Sequence, residues 1–271
     1  MTERLVPGRT VTSRVLAILA AFGPARQQLR LTELSQRTGL ALSTTHRLVA
    51  ELVDWGALER DEDGRYRIGL RLWEVGALAP RGLPLRDAAM PFLDDVFQAT
   101  GQNVQLAVLA GSDAVYVERL SGRNAVRVVT RPGSRLPLHA TGVGLVLLAH
   151  APLGLRQQVL AAPLVRFTPY TIADPAQLRR LLAEVRRRGF AVSDRQIETI
   201  SMSVAAPVWG ARGQVVAALS VVIPAQSNPA GFAALVVSAA RGISRSLGGL
   251  GESATSGRRQ HHPESRHGQP E

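Results

Sequence analysis

The chain has 271 residues, enough for two compact domains, and 45% of them are hydrophobic, so a buried core is feasible. It contains no cysteine, which excludes a disulfide framework and thiolate metal ligation. The net charge is +11, and all 32 basic residues are arginine.

Such a charge attracts polyanions through its long-range field, but a GC-rich genome produces the same arginine-only composition. Residues 1–71 carry 11 Arg against 8 Asp and Glu, a net of +3. Bulk charge therefore does not locate a nucleic-acid surface, and the positions of individual arginines must. No basic segment followed by an apolar core opens the chain, as a secretory signal requires. Apolar runs such as Val215–Ile223 are too short to cross a bilayer as a helix. A cytoplasmic protein without a membrane partner is expected.

Residues 1–9 form a polar arm with Arg4 and Arg9. A first helix is expected over Thr12–Phe22, where Val15, Leu16, Ile18, Leu19 and Phe22 make an apolar stripe at helical spacing. A second is expected over Thr32–Arg37, with Thr32 as N-cap and Gly39 as the break. A third runs from Ser43, as N-cap, to Asp54, and Gly56 stops it. Leu31–Leu52 has the spacing of a helix-turn-helix. Ser35 stands where the helices approach, and Leu34, Leu40, Leu48 and Leu52 lock them together. Thr45, Leu48, Val49 and Leu52 share one face of the third helix. Thr44, Arg47, Glu51 and Asp54 share the other, and only its first turns are free of acids. The N-terminal half is therefore the end expected to enter the major groove of double-stranded DNA. Arg47 could bind guanine bidentately, while Thr32, Ser43, Thr44, Thr45 and His46 are candidates for phosphate or base contacts.

Asp63-Gly64 between alternating segments signals a hairpin, a wing with Tyr66 and Ile68 on one face and Arg65 and Arg67 on the other. The acidic tip at Asp61–Asp63 would repel phosphate. A winged helix-turn-helix is thus expected over 10–69, followed by a linker helix over 70–81 ending near Pro80. From 82 to 248 the pattern is α+β. Strands are expected at Val104–Leu109, Ala114–Leu120, Gly189–Val192, Val204–Val208 and Val215–Val222. Helices are expected at Pro84–Thr100, Gly142–Ala149, Pro175–Arg188 and Pro229–Leu247. Residues 249–271, with His261 and His262, have almost no apolar content and are expected to form a disordered tail. The run Arg186–Arg188, with Arg179 and Arg180, is expected to be a solvated helix face.

Leu31–Gly76 (LTELSQRTGLALSTTHRLVAELVDWGALERDEDGRYRIGLRLWEVG) resembles the N-terminal domain of the IclR-type (isocitrate lyase regulator) transcription factors. Val104–Glu118, Arg131–Ala149 and Arg188–Pro224 resemble that family's effector-binding domain in order and spacing, so the likeness covers about residues 10–248. It implies a GAF-like effector domain, an antiparallel sheet flanked by helices. It also implies a homodimer or dimer of dimers and control by a small organic acid.

His139–Gly144 enters a helix with small residues. Unpaired amides at a helix start favour an anion, but on the residues alone an ordinary capped helix with glycines for close packing is preferred. The resemblance implies instead that backbone amides at Gly142 and Val143 anchor the effector's carboxylate. It further places Ser193, Ser203, Ser220 and Val222 at pocket positions. Leu136 and Val128 could be pocket walls or ordinary core. Where the family often has an acid, a cysteine, a second serine and a lysine, this chain has Ser193, Ser203, Val222 and Leu145. The loss of charge and polarity points to a bulkier or more apolar acid than the smallest keto acids.

An enzyme is the rival class. The sequence has no Gly-x-Ser-x-Gly elbow, no His-Glu-x-x-His helix and no Walker A loop, so no catalytic residue, cofactor or metal is expected. The other rival is a regulator acting through protein contacts alone.

Overall fold

The computed structural model describes residues 10–23, 25–79 and 82–248. The arm at 1–9, Pro80 and the tail at 249–271 lie outside them. Helix α1 spans Val11–Ala20, beginning earlier than expected because the Thr10 side chain accepts the Ser13 amide at 3.1 Å. Helix α2 spans Leu31–Thr38, so Thr32 lies inside its first turn and is not the N-cap. The Glu33 carboxylate instead accepts the Arg30 amide at 2.7 Å. Helix α3 spans Leu42–Asp54 with Ala41 as N-cap, so Ser43 is already helical and its side chain makes no cap bond. Between α2 and α3, Gly39 takes φ +67°, the left-handed turn that glycine adopts without Cβ strain. Ser35 Oγ donates to the Leu40 carbonyl at 2.7 Å across the same turn.

Three short strands complete this part: β1 (Gln28–Leu29), β2 (Leu58–Arg60) and β3 (Tyr66–Ile68), in the order β1-β3-β2. The strand β1 was not expected, because two residues are too few to show alternation. Tyr66 is buried with Ile18, Leu34, Leu48 and Leu58. Ile68 has the parity of Tyr66 yet is 43% exposed, so β3 buries only its first rung. Helix α4 (Leu70–Ala77) is shorter than the expected linker and has no buried residue.

The remaining elements are α5 (Leu83–Thr100), β4 (Asn103–Ala110), β5 (Asp113–Leu120), β6 (Arg135–Pro137), α6 (Gly142–Ala149), α7 (Leu153–Ala161), α8 (Pro175–Arg188), β7 (Ala191–Asp194), β8 (Ser201–Trp209), β9 (Val215–Pro224) and α9 (Ala230–Ser246). The strands form one antiparallel sheet in the order β6-β5-β4-β9-β8-β7. Strand β6 and helix α7 were not expected: β6 is three residues long, and α7 buries only Val159.

Helices α5 and α9 cover one face of the sheet through Leu93, Val96, Leu106, Leu219, Val236 and Ile243. On the other face lies α6, all eight of whose residues are buried. Its neighbours on the sheet are small, Ala107, Ala205 and Ala218, so an apolar helix can lie close. Thr141 caps it, accepting the Gly144 amide at 3.1 Å. A Cβ on Gly144 would stand 2.6 Å from both Cα and the carbonyl oxygen of Leu138. These are backbone atoms, which cannot swing aside. The close-packing role expected of these glycines is therefore present. Gly144→Ala should lower unfolding stability by about 1–3 kcal/mol, measured by denaturant titration; an unchanged midpoint would show that α6 can lift from the sheet at no cost.

Candidate DNA-binding face and effector cavity

The first turns of α3 project from the helix-turn-helix core. Ser43, His46 and Arg47 are exposed and Thr44 is half-buried. Thr45 is different: it is 0% exposed and its Oγ1 donates to the Ala41 carbonyl at 3.1 Å. Its place among Leu48, Val49 and Leu52 removes it from the candidate contact set, because the inner face of α3 is the one that packs on α1 and α2. The Arg47 guanidinium bonds Glu51 at 2.8 Å, one helical turn on, with both side chains about 60% exposed (61% and 60%). An exposed pair of this kind contributes at most about 1 kcal/mol. Arg47 can therefore exchange it for a guanine or a phosphate.

On the wing, Arg67 bonds Glu59 across the β2–β3 rung at 2.8 Å. Glu59 also accepts the Leu70 amide at 3.1 Å. Hydrogen bonds from Arg67 and then Leu70 hold the Glu59 carboxyl below its ordinary value. Arg65 is half-buried and its amide bonds Asp61, inside the turn. Sequence reasoning missed β1. Its Gln28 sits opposite Arg67, and with Arg26, Gln27, Arg65 and Arg67 it lines a basic groove beside the wing. The only signal was one polar–apolar alternation before α2.

A second site lies on the α6 face of the large sheet. Pairing places Ser193 opposite Ser203, and Ser203 opposite Val222, so three expected pocket residues stand on one rung of β7, β8 and β9. Together with Leu136 they line a cavity of about 410 Å³ of empty space, its mouth included. Ser193 Oγ donates to the Ala140 carbonyl at 2.9 Å, tying the sheet to the approach to α6.

The other expected positions are arranged differently. Gly142 and Val143 are buried and are not in the cavity wall. The Gly142 amide donates to Ser203 Oγ at 3.2 Å and the Gly144 amide to Thr141 Oγ1 at 3.1 Å, so these two amides at the start of α6 are bonded within the chain. Ser220, one rung further in, also lies outside the wall, and its Oγ is buried with no hydrogen-bond partner.

Sequence reasoning missed several lining residues: Gln105, Tyr116, Thr130, Thr141 and Glu198. Gln105 was the legible one, a polar residue between Val104 and Leu106 in a largely apolar strand. Its Nε2 donates to Thr130 Oγ1 at 2.5 Å, and the Arg119 guanidinium donates to the Thr130 carbonyl at 2.6 Å. These bonds hold the 121–134 segment over the cavity. Burial pushes the Tyr116 phenol upward against a smaller opposing effect of its bond to Thr141, so at neutral pH it is an uncharged hydroxyl. Burial likewise pushes the Glu198 carboxyl upward. The walls at Val128, Leu136, Met202 and Val222 are apolar. An apolar body with a few placed hydrogen bonds is the recognition such a cavity offers.

Among the described residues no cluster of three or more His, Cys, Asp or Glu could hold a metal ion, and no helix is long and apolar enough to cross a membrane.

A DNA-reading helix on one part of the chain and a small-molecule cavity on another define a ligand-responsive transcriptional regulator. An IclR helix-turn-helix family model matches residues 11–62, and a model for the C-terminal domain of bacterial IclR transcriptional regulators matches residues 79–245. The chain belongs to the IclR family, whose members are transcription factors and not enzymes. It is 35% identical to the transcriptional regulator XynR of Escherichia coli over 209 residues, 76% of this chain and 83% of that one. It is 31% identical to the Pca regulon regulatory protein of Pseudomonas putida over 215 residues, covering 78% and 73% respectively. Among solved structures it resembles an IclR homologue from Microbacterium hydrocarbonoxydans complexed with 4-hydroxybenzoate. The TM-score is 0.85 and the identity 39%, with 88% of this chain and 99% of that one covered.

An unsatisfied buried hydroxyl costs about 1–3 kcal/mol. Ser220→Ala should therefore leave the ligand-free protein at least as stable as the parent, by thermal unfolding. A drop of several degrees would mean that Ser220 Oγ is bonded in solution.

Proposed function

We propose that this regulator binds a near-palindromic operator as a homodimer or dimer of dimers in the cytoplasm and is controlled by a monocyclic aromatic acid. The supporting observation is the union of an exposed recognition-helix end with a cavity walled by Val128, Leu136, Met202 and Val222. The working parts are a DNA-binding domain at 10–69, a connector at 70–81 and a GAF-like effector domain at 82–248. The six-stranded antiparallel sheet with helices on both faces supports the last comparison.

The dimer reading rests on α1 and α4. Val11 and Leu16 on α1 are exposed, as are Leu70, Trp73 and Val75 on α4, with Leu78 following at 81% exposure. A short helix with no buried residue is marginal in water, and a second copy would cover it. Two recognition helices would then meet two half-sites.

The aromatic acid rests on three points: the apolar walls, the neutral Tyr116 hydroxyl, and the 4-hydroxybenzoate carried by the similar Microbacterium structure. Control follows by linkage. A ligand that favours one arrangement of the paired DNA-binding domains shifts operator affinity by no more than its differential affinity for the two arrangements.

Two measurements test this. On the gene's own upstream region, Arg47→Ala should weaken binding by about 1–3 kcal/mol and relax discrimination at one base, and Arg67→Ala should flatten the slope of log K against log salt by about one unit. Unchanged affinity and slope in both variants would return the protein-contact reading. In calorimetry, 4-hydroxybenzoate should bind more tightly than glyoxylate or pyruvate. Preference for the small keto acids would overturn the aromatic assignment.

A further inference from the structure

The C-terminal end of α8 is exposed, as expected of a solvated helix face, but it also walls a hollow. Strand β7 begins at Ala191, opposite Ala205, so residues 206–209 of β8 have no strand beside them on that side. Along this open edge lies about 790 Å³ of empty space, its mouth included. Arg186, Arg187 and Arg188 from the last turn of α8, Arg241 from α9, Trp209 from β8 and His150 from the end of α6 stand around it. No aspartate or glutamate is among its lining residues.

Basic residues at a helix C-terminus are ordinary, because they offset a macrodipole of about half a charge. One arginine suffices for that, and Arg188 is in addition paired with Glu184 at 2.8 Å. Arg241 is also engaged. The other two are different. Arg186 donates to the Ala149 carbonyl at 3.1 Å, a neutral acceptor that leaves its charge in place. Arg187 is exposed, and no hydrogen bond or ion pair engages its side chain among the described residues. Two guanidinium groups thus share one hollow with no carboxylate among their partners. The field reaches the His150 imidazole, which is held below its ordinary value by burial first and then by Arg186 and Arg156. Its Nε2 is buried with no hydrogen-bond partner, and its ring meets Trp209 edge-on with centroids 5.0 Å apart.

We propose that this hollow binds a phosphate dianion, free or carried by a small metabolite, through Arg186 and Arg187. A guanidinium suits phosphate because two parallel N–H donors match two of its oxygens, and two uncompensated cations match a dianion. The site lies past the end of α6, whereas Thr141, just before the same helix, lines the effector cavity. It is a separate site and does not rest on the effector reading.

The test is calorimetry of the full chain with inorganic pyrophosphate at constant ionic strength. The parent should bind one pyrophosphate per chain whether or not 4-hydroxybenzoate is present. Arg187→Ala should weaken it about three- to tenfold, as expected of an exposed charge-assisted contact. Arg180→Ala, which changes an exposed arginine of the same helix outside the hollow, should leave it unchanged. ADP titrated in the same way separates the two sources: tighter binding than pyrophosphate assigns the phosphate to an organic ligand, weaker binding to a free ion. No binding by the parent, binding unmoved by Arg187→Ala, or an equal loss in both variants would overturn the site, the last by showing a diffuse field. Displacement of pyrophosphate by 4-hydroxybenzoate would overturn it by placing the anion in the effector cavity. Loss of operator affinity in Arg187→Ala, with no phosphate binding by the parent, would overturn it in favour of a nucleic-acid surface.

Discussion

The large sheet is organised by one demand, that a helix with no polar face be covered on every side. Helix α6 has no charged or hydrogen-bonding side chain, so every position must be removed from water. The sheet accommodates it with alanines, the preceding turn with Thr141, and the helix itself with glycines at its start. Helix α8 and the end of α7 close the outer side through Leu178, Leu182, Val185 and Val159. The alanine rungs end at Ser203, whose Oγ still accepts the Gly142 amide at the start of α6, and with Ser193 and Val222 beside it this rung lines the cavity.

The DNA-facing part obeys a different rule. Its two candidate contact arginines are solvent-exposed but paired. Arg47 is paired with Glu51 and Arg67 with Glu59, each on the same element or hairpin. Such pairs hold long side chains near their working direction and are weak enough to be displaced by phosphate. Glu51, one turn along α3, therefore acts as a holding partner for the Arg47 cation.

Much of this was legible in the sequence where periodicity is long. Helices α6 and α8 have the expected limits, and the strands β4, β5, β7, β8 and β9 fall where apolar runs place them, to within a few residues. Caps were less legible. Thr32 and Ser43 are good capping types, yet Arg30 and Ala41 hold those positions, because the turn geometry around Gly39 and the Glu33 bond to the Arg30 amide fix the helix starts. Thr45 has the composition of a DNA contact and the phase of a core residue, and burial decided it. In the cavity, Ser193, Ser203 and Val222 followed from family likeness, and Leu136 and Val128 were open between pocket wall and core until the lining decided it. Gln105, Tyr116 and Thr130 did not, because their roles come from a register and a loop-to-strand bond that no local pattern encodes. Strands of two or three residues, β1 and β6, lie below the length at which alternation can be counted.

Helix α4 is bare over most of its surface, with only Leu72 partly buried against the helix-turn-helix core. In the proposed dimer, covering that surface would add to its order by mass action, and coupling through the connector would then depend on the abundance of the protein.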